Sequence, residues 1–161
     1  MGYGFPAAVG VQIAYPKALV ICVAGEASFL MNIQELSTVK QYRLPVKIFI
    51  LNNHYMGMVR QWQELLHGNR LSESYMDSLP DFVKLAESFG ATGLRATKPG
   101  DVDDLIKEMI KIKGSVICDV VVDPKENCFP MIPSGSTHDQ MLLGPKDKVK
   151  GEISEEGMVL V

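Results

Sequence analysis

The sequence predicts an α/β fold, a doubly wound, mostly parallel sheet with helices on both faces, and three observations carry that prediction. Residues 18–24 are a continuous apolar run of strand length, the pattern of a strand covered on both faces, and residues 46–51 and 115–122 are runs of strand length rich in β-branched residues. Between them lie segments whose apolar residues recur at helical spacing. Strands alternating with helices imply right-handed crossovers, and therefore parallel pairing.

Taken in order, residues 6–14 are small and apolar, a buried helix packed closely on the sheet, and residues 18–24 follow as a strand. Residues 32–42 place Ile33, Leu36 and Val39 on one helical face, with Lys40 and Arg43 near the end and Pro45 beyond. The run VKIFIL at 46–51 is β-branched and aromatic, a second strand that ends at Asn52-Asn53. After Gly57, the residues Met58, Val59, Trp62, Leu65 and Leu66 form one face of a helix. Residues 80–89 form another, opened by Pro80 and stopped by Gly90. Residues 101–112 repeat the pattern, and SVICDVVV at 115–122 is the last strand. From Asp123 the Pro/Gly-rich ENCFPMIPSG and the charged KDKVKGEISEEG predict a wrapping segment with a mobile end. The expected division is an α/β domain over 1–122 and a C-terminal segment over 123–161. The opening MGYGFPAAVG reads as the middle of a domain, so a chain truncated at its N-terminus is expected.

Composition narrows the function classes. The chain has 161 residues, 22% of them charged, and a net charge of −3, with no Lys/Arg cluster dense enough for a nucleic-acid footprint. No apolar stretch approaches a membrane span, and the first residues lack the charged and long apolar regions of a secretory signal. Three cysteines, Cys22, Cys118 and Cys128, are an odd number without CxxC spacing. Free thiols in a reducing, cytoplasmic setting are expected.

The chemistry gathers where two strands end. In an open parallel sheet, ligands bind at the carboxyl ends of the strands. The first strand ends in Gly25-Glu26-Ala27-Ser28 and the second in Asn52-Asn53. If those strands are neighbours, Glu26 and Asn53 meet although 27 positions separate them. A carboxylate and an amide carbonyl are hard oxygen donors suited to Mg²⁺, which takes its remaining ligands from water and a substrate diphosphate. The small residues at 25, 27 and 28 let backbone N–H groups approach phosphate oxygens, and a helix beginning near Asn32 adds a favourable dipole. The acid would hold the cation, and the cation the phosphate.

These residues also carry a resemblance. The runs GEASFLMNIQEL, LPVKIFILNN and GMVRQWQEL resemble the C-terminal thiamine-diphosphate domain of the acetohydroxyacid synthase (acetolactate synthase) family, catalytic large subunit. So do MGYGFPAA, PDFVKLAESFGATGLR and ENCFPMIPSG, and the likeness runs from residue 1 to about residue 143. The resemblance implies that Glu26 and Asn53 are side-chain ligands of Mg²⁺, with the Tyr55 backbone carbonyl a third. It implies that Gly25, Ala27, Ser28, Gly57 and Met58 line the diphosphate and thiazolium, mainly through backbone. Met1 matches the apolar residue that props the cofactor into its bent shape, and Trp62 matches a tryptophan beside the substrate channel. The implied reaction joins a two-carbon unit from pyruvate to a second 2-keto acid, giving acetolactate or acetohydroxybutyrate, with the hard chemistry supplied by the cofactor. The family also implies a partner catalytic subunit that contributes a glutamate, a small regulatory subunit, and an FAD-binding region elsewhere, so this chain alone is expected to be inactive. The chain departs from the usual motif at Glu26, where Asp is commoner, and at Ala27, where Gly is commoner. Each change keeps an oxygen ligand or a small side chain.

Plainer readings stand beside these. Glu26 is otherwise a solvent-facing turn residue, Asn52-Asn53 a strand-ending turn, Met58, Val59 and Trp62 a core stripe, and Met1 an initiator. His54, His67 and His138 share no ligand spacing and read as loop residues. At the level of function, the alternatives are another decarboxylase or carboligase of the same superfamily and a noncatalytic Mg²⁺–diphosphate-binding domain.

Overall fold

The structure, a computed structural model, describes residues 1–147. Two compact units divide the chain: Met1–His54 with Met76–Asp123, and Tyr55–Tyr75 with Pro124–Val161, the latter described as far as residue 147. The expected mobile end, from residue 148 on, lies outside the described residues.

The first unit holds the sheet. Its strands β1 (Ile21–Gly25), β2 (Lys47–Asn52), β3 (Thr92–Ala96) and β4 (Val116–Val121) run in the order β1-β2-β4-β3, every pairing parallel. The helices are α1 (Gly4–Ala14), α2 (Glu26–Leu30), α3 (Glu35–Tyr42), α5 (Phe82–Ser88) and α6 (Val102–Lys111), with α4 (Gly57–Leu66) in the second unit. Alternate strand residues face opposite ways. Cys22, Ile48, Ile50 and Ile117 enter one core with Phe5 and Val9 of α1, Phe29 of α2, Leu36 and Val39 of α3, and Phe82 and Ala86 of α5. Val116, Cys118, Val120 and Ala96 enter a second with Leu105 and Met109 of α6. Helices therefore cover both faces, as the sequence predicts.

Three expectations change. Residues 92–96, TGLRA, form a strand that the sequence reading omits. Its Gly and Arg break the apolar run, and it is held by its place at the sheet edge beside β4. Gly93 permits this, because a Cβ there would lie 2.6 Å from the Val83 Cα on α5. The run 18–24 predicts a strand covered on both faces, yet β1 starts at Ile21 and leaves Ile21 and Val23 exposed, Val23 by 62%. Helix α6 packs on β3 and β4, at the opposite edge of the sheet, which leaves that side of β1 open. The helix expected at 32–42 starts at Glu35. Its lead-in consists of tighter i→i+3 bonds, Glu35 to Asn32 and Leu36 to Ile33, while residues 26–30 form a separate helical turn.

At the amino-terminal edge of the sheet, the buried Lys47 ammonium donates to the Ile112 and Gly114 carbonyls, each at 2.5 Å. It thereby satisfies backbone acceptors just past the end of α6. Burial lowers the Lys47 pKa, opposed in part by Cys118.

Candidate functional site

Gly25 and Leu51 are register partners, so β1 and β2 leave the sheet side by side at its carboxyl edge. Glu26 follows one residue beyond the first and Asn53 two beyond the second, which puts both at one edge, on neighbouring strands. Glu26 is wholly buried and opens α2, which packs on β1 and β2. It is not the solvent-facing turn residue of the plainer reading.

Glu26 owes this place to an anchor. Phe29, one helical turn on, is wholly buried between Phe5, 5.1 Å away centroid to centroid, and Phe82, 6.2 Å away. A buried aromatic of this kind is worth about 3–5 kcal/mol against Ala, enough to hold five residues of helix directly after a strand. Ala27 is buried beside it. Gly25 is exposed, with extended backbone, and a Cβ there would meet nothing within 4 Å. Open space over a backbone at the end of a strand is what an approaching anion needs.

Ser28 does more than the sequence reading gives it. Its hydroxyl accepts the Gly2 N–H at 2.9 Å, and the Asn32 amide donates to the Gly2 carbonyl at 2.5 Å. The Gly2 peptide is thus clamped on both sides. Its φ of +79° and a Cβ position 2.7 Å from Asn32 Nδ2 both require glycine. Met1, next to this clamp, is 66% exposed.

On the β2 side, Asn52 is buried and Asn53 half-buried. The Asn52 amide donates to Asp119 Oδ1 at 2.9 Å, and its oxygen accepts the His54 N–H at 3.3 Å, a turn closed across Asn53. Arg95 Nε donates to Asp119 Oδ2 at 2.9 Å, and its NH2 group to Asp81 Oδ1 at 2.8 Å. Burial works against the Arg95 charge, but Asp119 and Asp81 outweigh it and hold the guanidinium pKa above its ordinary value. The Asp81 carboxyl lies below the usual range. Desolvation, the largest single influence, raises it, but is outweighed by the combined pull of the Lys84 and Val83 N–H groups, which Asp81 caps, and of Arg95. The sequence reading leaves out Asp119 and Arg95. The signal for the first was present, a lone acid inside VICDVVV, since a polar residue in a buried strand is the informative exception.

Tyr55, Gly57, Met58 and Trp62 belong to the second unit. Tyr55 bridges Tyr75 in antiparallel fashion, with the rings 5.1 Å apart, and Gly57 opens α4. Met58, Val59 and Trp62 are exposed, Trp62 by 41%, so they are not the core stripe of the plainer reading. The buried residues of α4 are the polar ones, Arg60 and Gln61. Arg60 reaches Glu64 at 2.7 Å, the Lys125 carbonyl at 2.9 Å and Asn127 at 2.5 Å. Gln61 exchanges two hydrogen bonds with the Cys128 backbone, at 2.7 and 3.0 Å. This pair holds ENCFP, a role no periodicity reveals.

Among the described residues no three His, Cys, Asp or Glu side chains gather as a metal cluster. A cation at the carboxyl edge would draw on one carboxylate, amide or carbonyl oxygens and a ligand's own oxygens, the donor set of Mg²⁺ bound with a diphosphate. A buried carboxylate beside an amide exit loop, under open space at Gly25, fits such a group. Cys22 and Cys118 are buried free thiols and Cys128 is exposed. No helix among the described residues is long and apolar enough to cross a membrane.

Comparison with known proteins agrees with this geometry. Residues 1–120 match the family model "Thiamine pyrophosphate enzyme, C-terminal TPP binding domain". The chain is 48% identical over 144 residues to the acetolactate synthase large subunit of Haemophilus influenzae, covering 89% of this chain and 25% of that protein. It is 45% identical over 151 residues to the acetolactate synthase isozyme 3 large subunit of Escherichia coli, covering 92% and 26%. Among solved structures it resembles a thiamine diphosphate-dependent 4-hydroxybenzoylformate decarboxylase of Rhodococcus jostii. That match has a TM-score of 0.72 and 31% identity, and covers 79% of this chain and 24% of that one. The chain thus spans about a quarter of the length of the curated relatives it matches. Sheet, carboxyl-edge site and family model lead to one assignment: the chain belongs to the thiamine pyrophosphate enzymes, as their C-terminal cofactor-binding domain.

Proposed function

We propose that this chain supplies the diphosphate and Mg²⁺ site of a thiamine-diphosphate-dependent acetolactate synthase. In this reading the enzyme condenses pyruvate with a second 2-keto acid to acetolactate or acetohydroxybutyrate. The observation that carries it is the buried Glu26 at the end of β1, beside the Asn52-Asn53 exit from β2. Bound there, thiamine diphosphate supplies the carbon nucleophile and the electron sink for decarboxylation. The protein's part is to bind and orient. Glu26 and Asn53 give side-chain oxygens to Mg²⁺ and Tyr55 its backbone carbonyl, while Gly25, Ala27 and Ser28 offer backbone N–H groups to the diphosphate. Gly57 and Met58 would line the thiazolium, Met1 would brace the cofactor, and Trp62 would border the substrate path. The Ser28 oxygen accepts from Gly2 and leaves its own O–H proton to donate, so the side chain can also face the diphosphate.

The whole enzyme in this reading includes FAD bound by a region outside this chain, a second catalytic subunit that completes the site, a small regulatory subunit, and a cytoplasmic setting. The test is acetolactate formation from pyruvate by the holoenzyme, with Glu26→Ala alongside. The variant is expected to lose Mg²⁺-dependent cofactor binding and activity while keeping its fold. Carboligation that survives in a folded Glu26→Ala protein refutes the metal assignment. The likeness to the Rhodococcus jostii decarboxylase favours one second reading, a superfamily decarboxylase acting on another 2-keto acid. Release of an aldehyde, with no acetolactate formed, would decide for it.

A further inference from the structure

The geometry points to Asp119 and Arg95 as positioning residues for the metal-ligand loop, an inference that rests on the reading of Asn53 as a ligand of Mg²⁺. Asn53 is the middle residue of a turn closed by Asn52 Oδ1 and the His54 N–H. A short turn of this kind is pliable unless its first residue is fixed, and here it is fixed twice. Its carbonyl accepts the Val122 N–H at 2.9 Å, and its amide donates to Asp119 Oδ1 at 2.9 Å. The far side of the turn is tied as well, with the Met76 N–H on the His54 carbonyl at 2.8 Å.

The amide orientation is what matters. Asn52 can place its oxygen toward His54 only while its NH2 group faces an acceptor. Asp119 is that acceptor and, as a carboxylate, accepts only. Its second oxygen is occupied by Arg95 Nε at 2.9 Å, and Arg95 is held in turn by Asp81 at the N-terminus of α5. The relay crosses the carboxyl edge of the sheet from β3 through β4 to β2, and its last hydrogen bond sets the backbone on either side of Asn53. Asp119 and Asn52 are buried, so neither has water as a substitute partner.

The test measures Mg²⁺-dependent thiamine diphosphate binding by the holoenzyme, by calorimetry, together with kcat at saturating Mg²⁺ and cofactor. Asp119→Asn keeps the shape but puts a donor where the relay needs two acceptors. It is expected to weaken Mg²⁺ affinity about 10–100-fold, the usual cost of losing a residue that orients a metal ligand. With Mg²⁺ saturating, kcat is expected to stay within about twofold of the unaltered enzyme, because the loss is one of binding. Arg95→Met is expected to act in the same direction and Arg95→Lys to recover part of the affinity. If Asp119→Asn fails to fold, the Arg95 pair decides, since Arg95 is partly exposed and lies at the end of the relay. Mg²⁺ affinity within twofold of the unaltered enzyme in the folded variants, whatever their melting temperature, overturns the inference. Asn53→Ala run in parallel separates the two failures. If it too leaves Mg²⁺ affinity unchanged, the ligand reading itself is wrong.

Discussion

Gly25→Ala separates the cofactor site from the stability of the fold. Nothing lies within 4 Å of the Cβ position, and the backbone there, φ −77° and ψ 158°, suits any L residue. The apo protein is therefore expected to be unchanged or stabilised by up to about 1 kcal/mol, because alanine restricts the unfolded chain more than glycine does. The methyl group would nevertheless occupy the space through which a diphosphate approaches the end of β1. A ligand at about 100 times its Kd stabilises the protein that binds it by about 2.7 kcal/mol. If the methyl weakens binding tenfold, the same concentration gives about 1.4 kcal/mol, so about half of the ligand-induced stabilisation disappears. Denaturant unfolding of the holoenzyme with and without thiamine diphosphate and Mg²⁺ reads both quantities. Equal ligand-induced stabilisation in the two proteins would show that no phosphate group comes near Gly25. Loss of more than about 1 kcal/mol in the apo state would show that the space is not open.

Other outcomes follow from the packing and the titrations. Gly93→Ala is the converse case: its Cβ would lie 2.6 and 2.7 Å from Val83 backbone atoms, so α5 must shift from β3. A loss of about 1–3 kcal/mol is expected in denaturant unfolding. Arg60→Met removes the donor shared by the Lys125 carbonyl and Asn127. Residues 124–131 are expected to exchange amide hydrogens at least tenfold faster, equivalent to about 1.4 kcal/mol of local stability. Burial pushes the Cys118 thiol up to about 12, with Lys47 and Glu108 as lesser influences. The folded pKa lies above the ordinary 9.0, so this contribution is fully present below pH about 9 and is lost as pH rises toward about 12. Cys118→Ala is expected to flatten that alkaline loss in unfolding measured from pH 8 to 11. At pH 8 iodoacetamide is expected to label Cys128 before Cys22 or Cys118.

Much of the fold was legible because its signals are local. The runs at 46–51 and 115–122 are strands in the structure, and the helical stripes at 80–89 and 101–112 are α5 and α6. Gly25-Glu26 and Asn52-Asn53 stood out because strand ends carrying a carboxylate and paired amides are unusual, and parallel pairing was enough to bring them to one edge. Residues 92–96 were illegible for the opposite reason: five residues with Gly and Arg hold no periodicity, and a strand there exists only because β4 offers it an edge. The exposed Met58, Val59 and Trp62 show a similar limit, since periodicity marks an apolar face without saying what it meets.

What this sequence determined by itself is its alternation of buried strands with helices and the donor chemistry at two strand ends, because both follow from residue type and spacing. Only the tertiary structure decided which residues hold those ends in place. The partners of Asn52 and Gly2 stand 67 and between 26 and 30 positions away. Over such separations chain entropy leaves no local trace of a contact. Asp119 finds Asn52, and Asn32 finds Gly2, only once the sheet and its covering helices have closed around them.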